Sequence, residues 1–561
     1  MTASEYLHTA TSPAWSEPST DASTGVDFLG TREVNLEMLG RLTGPYNNTV
    51  VSARQHVIMA WAAWRYRENC RANDVDPSST QFQDFIDMIE TIQCVGQHEH
   101  GPQYGGSGDG LGSGTLPQPN EDGLIPLRFS SYGRSRTNTS AFAAVQYGPS
   151  AKPTSFGLLD SRAGIWGPTE RGVALARALD PLLRNSRSYE ALTRLPVPET
   201  MSRADVVEIA SQGLIIGRNL PVRPERSDYV TFLFDLDRDG VALQHSRRLT
   251  LTLLLEIVDK LGQPQSSVTP DTIRRHLLAA CTVDGVSLEL PTYLHRAAGQ
   301  WQLLQLRQLQ RFALECWLFL AEWRMDDAKT AQLIVDQLCT ILVPALAPDD
   351  DISSLLSQQV EDALLSYRAH RNIDQGLRWA ADEDSKSPFS LVSTTQQHLE
   401  RKQPAEAVPS IVALTLAVVT LSRLMVHDSD PLTFAHIGDR RRVSLAHFRR
   451  WWDARAAMPF QDVLVEMLEE FVLQQHVAVA VARFDNERRR LRFSNDEMGW
   501  AMLPGTKLSV PRPTPDRIEA LLRLMSDLEL LDTKERGFSI SEQGREVLAR
   551  VGKKEDGLRS G

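Results

Sequence analysis

The stretch FGLLDSRAGIWGPTERG, Phe156 to Gly172, is matched without a gap by LELLDTKERGFSISEQG, Leu528 to Gly544, at an offset of 372 residues. Leu158, Leu159, Asp160, Glu170 and Gly172 recur as Leu530, Leu531, Asp532, Glu542 and Gly544. Ser161, Arg162, Trp166 and Thr169 become Thr533, Lys534, Phe538 and Ser541, each a change that keeps size or polarity. In the second copy Phe538 and Ile540 alternate with Ser539, the period of a short strand. A hydroxyl residue then precedes an acid, which is how a helix begins: the hydroxyl accepts a free backbone N–H, and the acid sits at the positive end of the dipole. Both copies therefore predict a hairpin braced by a capped helix.

Upstream of the second copy, Thr514 to Leu530 reads as an amphipathic helix with Thr514 as N-cap and Pro515 at the first helical position. Leu548 and Val551 are expected to face inward, and Gly544 to permit close packing. The order helix, hairpin, closing helix resembles the final half of winged-helix domains, with their "LGLL…LTxxGrxxL" endings, over the last 50 to 60 residues or so. The first copy resembles the same ending. Val173–Leu179 supplies its helix, and Ser140–Tyr147 is the nearest helical piece upstream. Winged helices bind DNA, proteins or neither, and a hairpin with a helix serves equally as a packing unit that touches no DNA.

The remainder of the 561 residues is dominated by helical periodicity. Glu33–Leu42, Ala53–Asn69 and Thr80–Val95 are expected helices, the last with Ser78 or Ser79 as cap. From residue 200 to 425 the candidates are Ala204–Ile216, Val241–Leu261, Pro270–Cys281, Ala298–Trp323, Ala328–Leu346, Leu355–His370 and Pro409–Val426. Trp301 to Trp323, WQLLQLRQLQRFALECWLFLAEW, is apolar around much of its circumference and belongs at the centre of a bundle. The net charge of −11 and pI near 5.7 argue against indiscriminate coating of nucleic acid, while leaving room for a local basic patch. Five dispersed cysteines without CxxC fit a reducing, cytoplasmic compartment. The N-terminus has neither the basic nor the apolar region of a signal peptide. The longest apolar run, Ile411 to Leu421, is too short to span a bilayer, so no membrane partner is expected.

The stretch GPYNNTVVSARQHVIMAW, Gly44 to Trp61, resembles one shared by bacterial proteins encoded among phage-defence and DNA-modification genes, roughly "PGxNNxTxxxRYYxFxxW". Asn47, Asn48, Arg54 and Trp61 fall at matching spacings; Gln55 and His56 stand where tyrosines are usual, and the first proline and glycine are inverted. Those proteins also end in a winged-helix-like segment. The resemblance implies an accessory component of a defence system and carries over no activity. Physically, Asn47–Asn48 is a turn that starts a helix, and Arg54 and Trp61 share one helix face as anchors of the first bundle.

Other constellations are weaker. Cys94, His98 and His100 offer zinc-type ligands without a fourth nearby. Asp235, Asp237, Asp239 and Gly240 mimic the start of an EF-hand, but Ser246 occupies the position that needs a bidentate glutamate. The glycine-rich stretch 101–123 fits neither GxGxxG nor a P-loop, and no GxSxG or HExxH occurs. Arginines are the strongest signal. Arg440, Arg441, Arg442, Arg449 and Arg450 surround Trp451 and Trp452, with Arg455 beyond; Arg488, Arg489, Arg490 and Arg492 follow, and Arg517 and Arg523 lie on the predicted helix before the second hairpin. Guanidinium forks suit phosphates, so Arg440–442, 449, 450, 488–490, 517 and 523 form a candidate nucleic-acid surface; a solvated face, or arginines paired with the chain's own acids, is the alternative.

The expected fold is mainly α: a tail over 1–28, a helical module over 29–195 ending in a wing-like hairpin near 156–180, a central bundle over 196–430, and a C-terminal module over 431–561 with a winged helix at about 505–555. The expected function is a non-catalytic DNA-binding or scaffolding subunit of a bacterial anti-phage defence or DNA-modification system. Its expected partners are other subunits and double-stranded DNA, without cofactor or metal. A winged-helix transcriptional regulator and an enzyme with a non-local site in the bundle are the alternatives.

Overall fold

Helices form where the apolar periodicity places them, and side-chain caps set several of their starts. Ser78 Oγ accepts the Gln81 N–H (3.2 Å) and opens the helix Ser79–His100; Thr169 and Ser541 open Glu170–Leu183 and Glu542–Ser560 in the same way. The computed structural model describes residues 27–44, 46–104, 116–237, 242–262, 268–280, 287–325, 329–342, 352–370, 377–382, 386–426, 443–482, 491–535 and 537–560. The chain is mainly α, and its strands pair only as small two-stranded antiparallel sheets among those residues. The expected tail falls almost wholly outside the described residues, as does most of the glycine-rich stretch.

Two compact units share the chain. One comprises Met1–Met38, Arg274–Glu289 and Ala298–Thr514; the other comprises Leu39–Ile273, Leu290–Ala297 and Pro515–Gly561. Neither coincides with the consecutive segments 29–195, 196–430 and 431–561 expected from sequence, because each gathers stretches that are distant along the chain.

In the first unit the long helix His295–Arg324 contributes Phe312, Trp317 and Leu320 to a large apolar core, as its all-round apolar pattern requires. Trp317 Nε1 donates to Thr415 Oγ1 (2.9 Å) on the helix Pro404–Met425. That helix is long and apolar enough to cross a membrane, but it is mostly buried in this core and packs on Pro388–Glu400. Phe460–Met467 runs through a π-turn at Leu468–Gln474 into Gln475–Ala482, and a hairpin, Phe493–Asp496 with Gly499–Met502, follows.

In the second unit Ala53–Ala72 packs along Glu170–Leu183, and Ser79–His100 along Arg203–Gly213. The segment between Leu127 and Tyr147 is clamped to Ser79–His100 by two carboxylates. Asp87 accepts the Phe129 N–H (3.1 Å) and both Nε and Nη2 of Arg136; Glu90 accepts Ser140 Oγ and the Ala141 N–H, each at 2.9 Å, beside Arg134. The expected helix over Ser140–Tyr147 is a series of turns instead, and a single helical turn, Gly148–Ala151, follows it.

Both copies of the repeated stretch fold as the hairpin and capped helix expected, in register. Leu159–Arg162 pairs with Ile165–Pro168, and Leu531–Lys534 with Gly537–Ile540, so equivalent residues occupy equivalent rungs. Thr169 Oγ1 donates to Gly157 O (2.6 Å) and accepts the Gly172 N–H; Ser541 Oγ donates to Glu529 O (2.7 Å) and accepts the Gly544 N–H. Gly157 and Glu529 share a left-handed backbone, with φ of 68° and 59°. The glycines are required by contact with backbone rather than with a neighbouring helix: a Cβ at Gly172 would stand 2.1 Å from Leu158 O, and one at Gly544 2.3 Å from Leu530 O. The second hairpin gains a third partner, since Val268 and Phe538 exchange backbone hydrogen bonds of 2.9 Å in each direction.

These contacts set two expectations. Gly172→Ala and Gly544→Ala should each lower stability by about 1–3 kcal/mol through overpacking against a carbonyl. Gly552→Ala, on the same helix as Gly544 but with Tyr293 Oη as its nearest neighbour at 3.9 Å, should raise it by up to about 1 kcal/mol; chemical denaturation of the three variants checks the contrast. The second concerns pH. Burial pushes the Glu90 carboxyl up to about 7, against the downward pull of Arg134, Ser140 and Ala141. A carboxyl whose folded pKa exceeds its unfolded value binds more protons in the folded state, so its contribution falls as pH rises from about 4.5 to about 7. Denaturation across that range should show a decline that Glu90→Gln flattens.

Candidate nucleic-acid interface

Of the ten arginines that the sequence singles out, Arg440, Arg441, Arg442, Arg488, Arg489 and Arg490 lie outside the described residues. The other four divide between the units. Arg449 and Arg450 belong to the helix Leu445–Asp453 of the first unit. Arg449 donates to Val426 O and pairs with Asp453 (3.2 Å), whereas Arg450 is exposed. The neighbouring Arg455 pairs with Glu466 (2.6 Å) and lies over the Trp451 ring at 3.8 Å, and Arg492 forks onto Glu322. These guanidiniums are cross-links within the fold.

Arg517 precedes and Arg523 lies within the second hairpin's leading helix, which spans Ile518–Asp527 rather than Thr514–Leu530. The difference has a local cause. Arg517 takes a left-handed backbone (φ 67°) and donates to Thr43 Oγ1 (2.7 Å) and Gly44 O (3.1 Å), so the helix cannot propagate upstream to Pro515. Thr514 is therefore not the N-cap; its hydroxyl receives Arg311. Burial pulls Arg517 down to about 10, with the Tyr46 phenol opposing it. Arg523 is exposed and pairs with Glu519 one turn away (2.5 Å).

The helix itself is turned inward. All its positions but Glu519 and Arg523 are buried. Asp527, at its end, accepts the Ala53 N–H (2.8 Å) and Ser52 Oγ (3.3 Å) and pairs with Arg223 (2.8 Å). It thus caps the helix Ala53–Ala72 from 474 residues away along the chain. Burial raises its pKa, and Arg223 and the Ala53 amide counter that rise. The exposed end of the hairpin carries Asp532, Thr533, Lys534 and Glu535, a mixed rather than basic surface. On the closing helix Val547 and Val551 are buried, while Leu548 is only half-buried.

The Gly44–Trp61 stretch forms the other side of this arrangement. Asn47 Nδ2 donates to Gln146 O, Arg54 pairs with buried Glu225 (2.9 Å) and binds Val222 O (2.7 Å), and Trp61 Nε1 donates to Asp180 (3.0 Å). His56 lies between Ser150 Oγ (2.7 Å) and Tyr229 Oη (2.8 Å). A serine beside a histidine is the pairing that nucleophilic catalysis uses. Here both are buried, and burial pulls His56 down to about 3, too low for a general base at neutral pH. No local pattern announces the His56–Ser150–Tyr229 group, since its members come from three separate segments.

Asp239 and Gly240 of the EF-hand-like stretch lie outside the described residues, and the described members of the two metal-like motifs are placed in ion pairs and packing. Cys94 is buried while His98 is exposed, and Asp235 and Asp237 bind Arg171 and Arg247. Among the described residues no group of three or more His, Cys, Asp or Glu side chains is placed to hold a metal ion. No protein-family model, curated protein or solved structure matches this chain.

Removing the carboxylate at 527 leaves Arg223 buried without its partner and Ala53–Ala72 uncapped. Asp527→Ala should therefore cost about 3–5 kcal/mol, whereas Arg523→Ala, which breaks only an exposed pair, should change stability by less than about 0.5 kcal/mol; thermal melts of the two variants test the difference.

Proposed function

We propose that this chain is a scaffolding subunit of a multi-protein bacterial system, of the phage-defence or DNA-modification kind, and that it holds partner proteins rather than transforming a substrate. The observation that carries the reading is the inward turn of Ile518–Asp527. In a winged helix that reads DNA, the helix before the hairpin presents a polar face to the groove. Here the equivalent helix exposes one self-paired Glu519–Arg523 couple, and its last carboxylate is engaged in capping. The resemblance of Gly44–Trp61 to defence-associated proteins supplies the cellular setting.

DNA contact is the second reading, and one observation favours it. Within the second unit, helix Ala242–Leu261, the bridge at Val268, helix Ile518–Asp527, the second hairpin and the closing helix follow the winged-helix order in part, with Val268 in the place of the third strand. Such a domain would contact the backbone through its wing and through arginines elsewhere in the chain.

A single set of measurements separates the two. The full chain is titrated against a fluorescein-labelled 30-base-pair duplex over a range of salt, and co-expressed with the products of its neighbouring genes. The scaffold reading expects weak, sequence-independent DNA binding and stoichiometric co-purification. Submicromolar binding that falls steeply with salt, and is lost on Arg440→Glu/Arg450→Glu, would overturn it in favour of DNA. Arg449 is unsuitable for that variant, because its bonds to Val426 and Asp453 are structural.

A further inference from the structure

Within the first unit, residues 27–38 are held by side chains that come from far along the chain. The Arg492 guanidinium lies over the Phe28 ring at 4.3 Å, and the Leu29 side chain is fully buried in the apolar core. The carbonyls of the same two residues are bound by side chains. Gln475 Nε2 donates to Leu29 O (2.9 Å), and His476 Nδ1 donates to Phe28 O (3.1 Å). A carbonyl only accepts, so the imidazole proton sits on Nδ1, and Nε2 is left to accept the Arg492 N–H (3.2 Å). Gly30 then turns the chain with a left-handed backbone, φ 69°, against Val479, whose Cγ2 would stand 3.0 Å from a Cβ there. Helix Thr31–Thr43 starts at this turn, with the Arg32 and Glu33 amides bound by Asp27. Val34 and Met38, one turn apart, add apolar anchors. An aromatic–aliphatic pair, carbonyls gripped by side chains and helix anchors at i and i+4 are the means by which a groove holds a peptide.

The buried face of that helix is not wholly apolar. Thr31 and Asn35 share it with Val34 and Met38 and are fully buried. Thr31 Oγ1 and both amide atoms of Asn35 have no hydrogen-bond partner among the described residues. Each has given up water without a replacement, which opposes burial of the segment. In so short a segment these atoms offset much of what Leu29, Val34 and Met38 gain. Local opening draws on segments whose attachment is balanced in this way.

We propose that residues 27–38 are a releasable strap, which lifts from the first unit and uncovers the seats of Phe28 and Leu29 while the rest of that unit stays folded. Lifting returns Thr31 and Asn35 to water. It frees the Arg492 guanidinium face and the His476 Nδ1–H, and it bares the apolar seat that Leu29 fills.

Hydrogen exchange of the full chain, read by mass spectrometry without denaturant, tests this. A short helix off its support is unstable, so lifting exposes the amides of residues 35–38. They should exchange at least a hundredfold faster than those of 312–320 in helix His295–Arg324. Thr31→Val/Asn35→Leu removes the orphaned atoms at nearly constant volume and should slow exchange of 35–38 at least tenfold. Phe28→Ala loses the stack under Arg492 and should speed it at least tenfold. Residues 312–320 should be unchanged in both variants. Equal exchange of the two segments in the parent would overturn the proposal, since the strap would then open only with the whole unit. Unchanged or faster exchange of 35–38 in Thr31→Val/Asn35→Leu would also overturn it; that is the result expected if ordered water already satisfies those groups. Phe28→Ala speeding 312–320 as much as 35–38 would mark the ring as a support of the core and sink the strap. If the double variant does not fold, Phe28→Ala decides alone.

Discussion

The second unit depends on one buried carboxylate. Asp527 accepts the Ala53 N–H at the start of a 20-residue helix, where the helix dipole favours negative charge, and faces Arg223 at 2.8 Å. A charge taken out of water needs such compensation from several directions, since a single partner rarely repays its desolvation. The same region holds a second buried pair, Arg54 with Glu225. Together they join the stretch after Gly44, the loop before Tyr229 and the C-terminal segment. Residues 515–561 are thus the closing piece of a unit that begins near residue 39, rather than an appended domain.

That role explains why one solution occurs twice. A two-stranded hairpin is marginal alone in water. In each copy a hydroxyl side chain spans from the second residue before the hairpin to the start of the next helix, and a glycine lets that helix sit against a carbonyl. The strand is pinned at both ends without a large sheet. The copies differ at the residue whose carbonyl the hydroxyl grips. Gly157 adopts its left-handed backbone freely, while Glu529 does so at about 1 kcal/mol. The second brace is therefore the more strained, and it is the one tied to Asp527 two residues upstream.

Much of this was legible. The periodicity located most long helices, and Ser78, Thr169 and Ser541 marked their starts because a cap is a local event within four residues. The hairpin register followed from alternation. Other features carried no local signal. Pro515 after Thr514 reads as a helix start, yet Arg517 is drawn to Thr43 and Gly44 from across the sequence, and the helix begins after it. Leu355–His370 read as one helix but breaks between Leu356 and Val360, where Val360 N–H binds Met458 O (2.9 Å). Each unit gathers segments distant along the chain, and such gathering leaves no period behind.

The arginines show the limit most clearly. A run of guanidiniums beside tryptophans has the composition of a phosphate-binding surface, and also that of a set of internal cross-links. Arginine stays charged when buried and carries its donors in a rigid fork, so it can join carboxylates and helix-end carbonyls that lysine could not satisfy. Arg54, Arg171, Arg247, Arg248 and Arg492 are used in this way, each facing an acid. A buried pair is neutral to the outside. It removes a cation from the surface and an anion with it, so the chain's net negative balance still governs what approaches from solution. A polyanion is then attracted only by exposed cations that lack such a partner. The same chemistry that gives the fold its cross-links therefore leaves the chain's net charge where the composition set it.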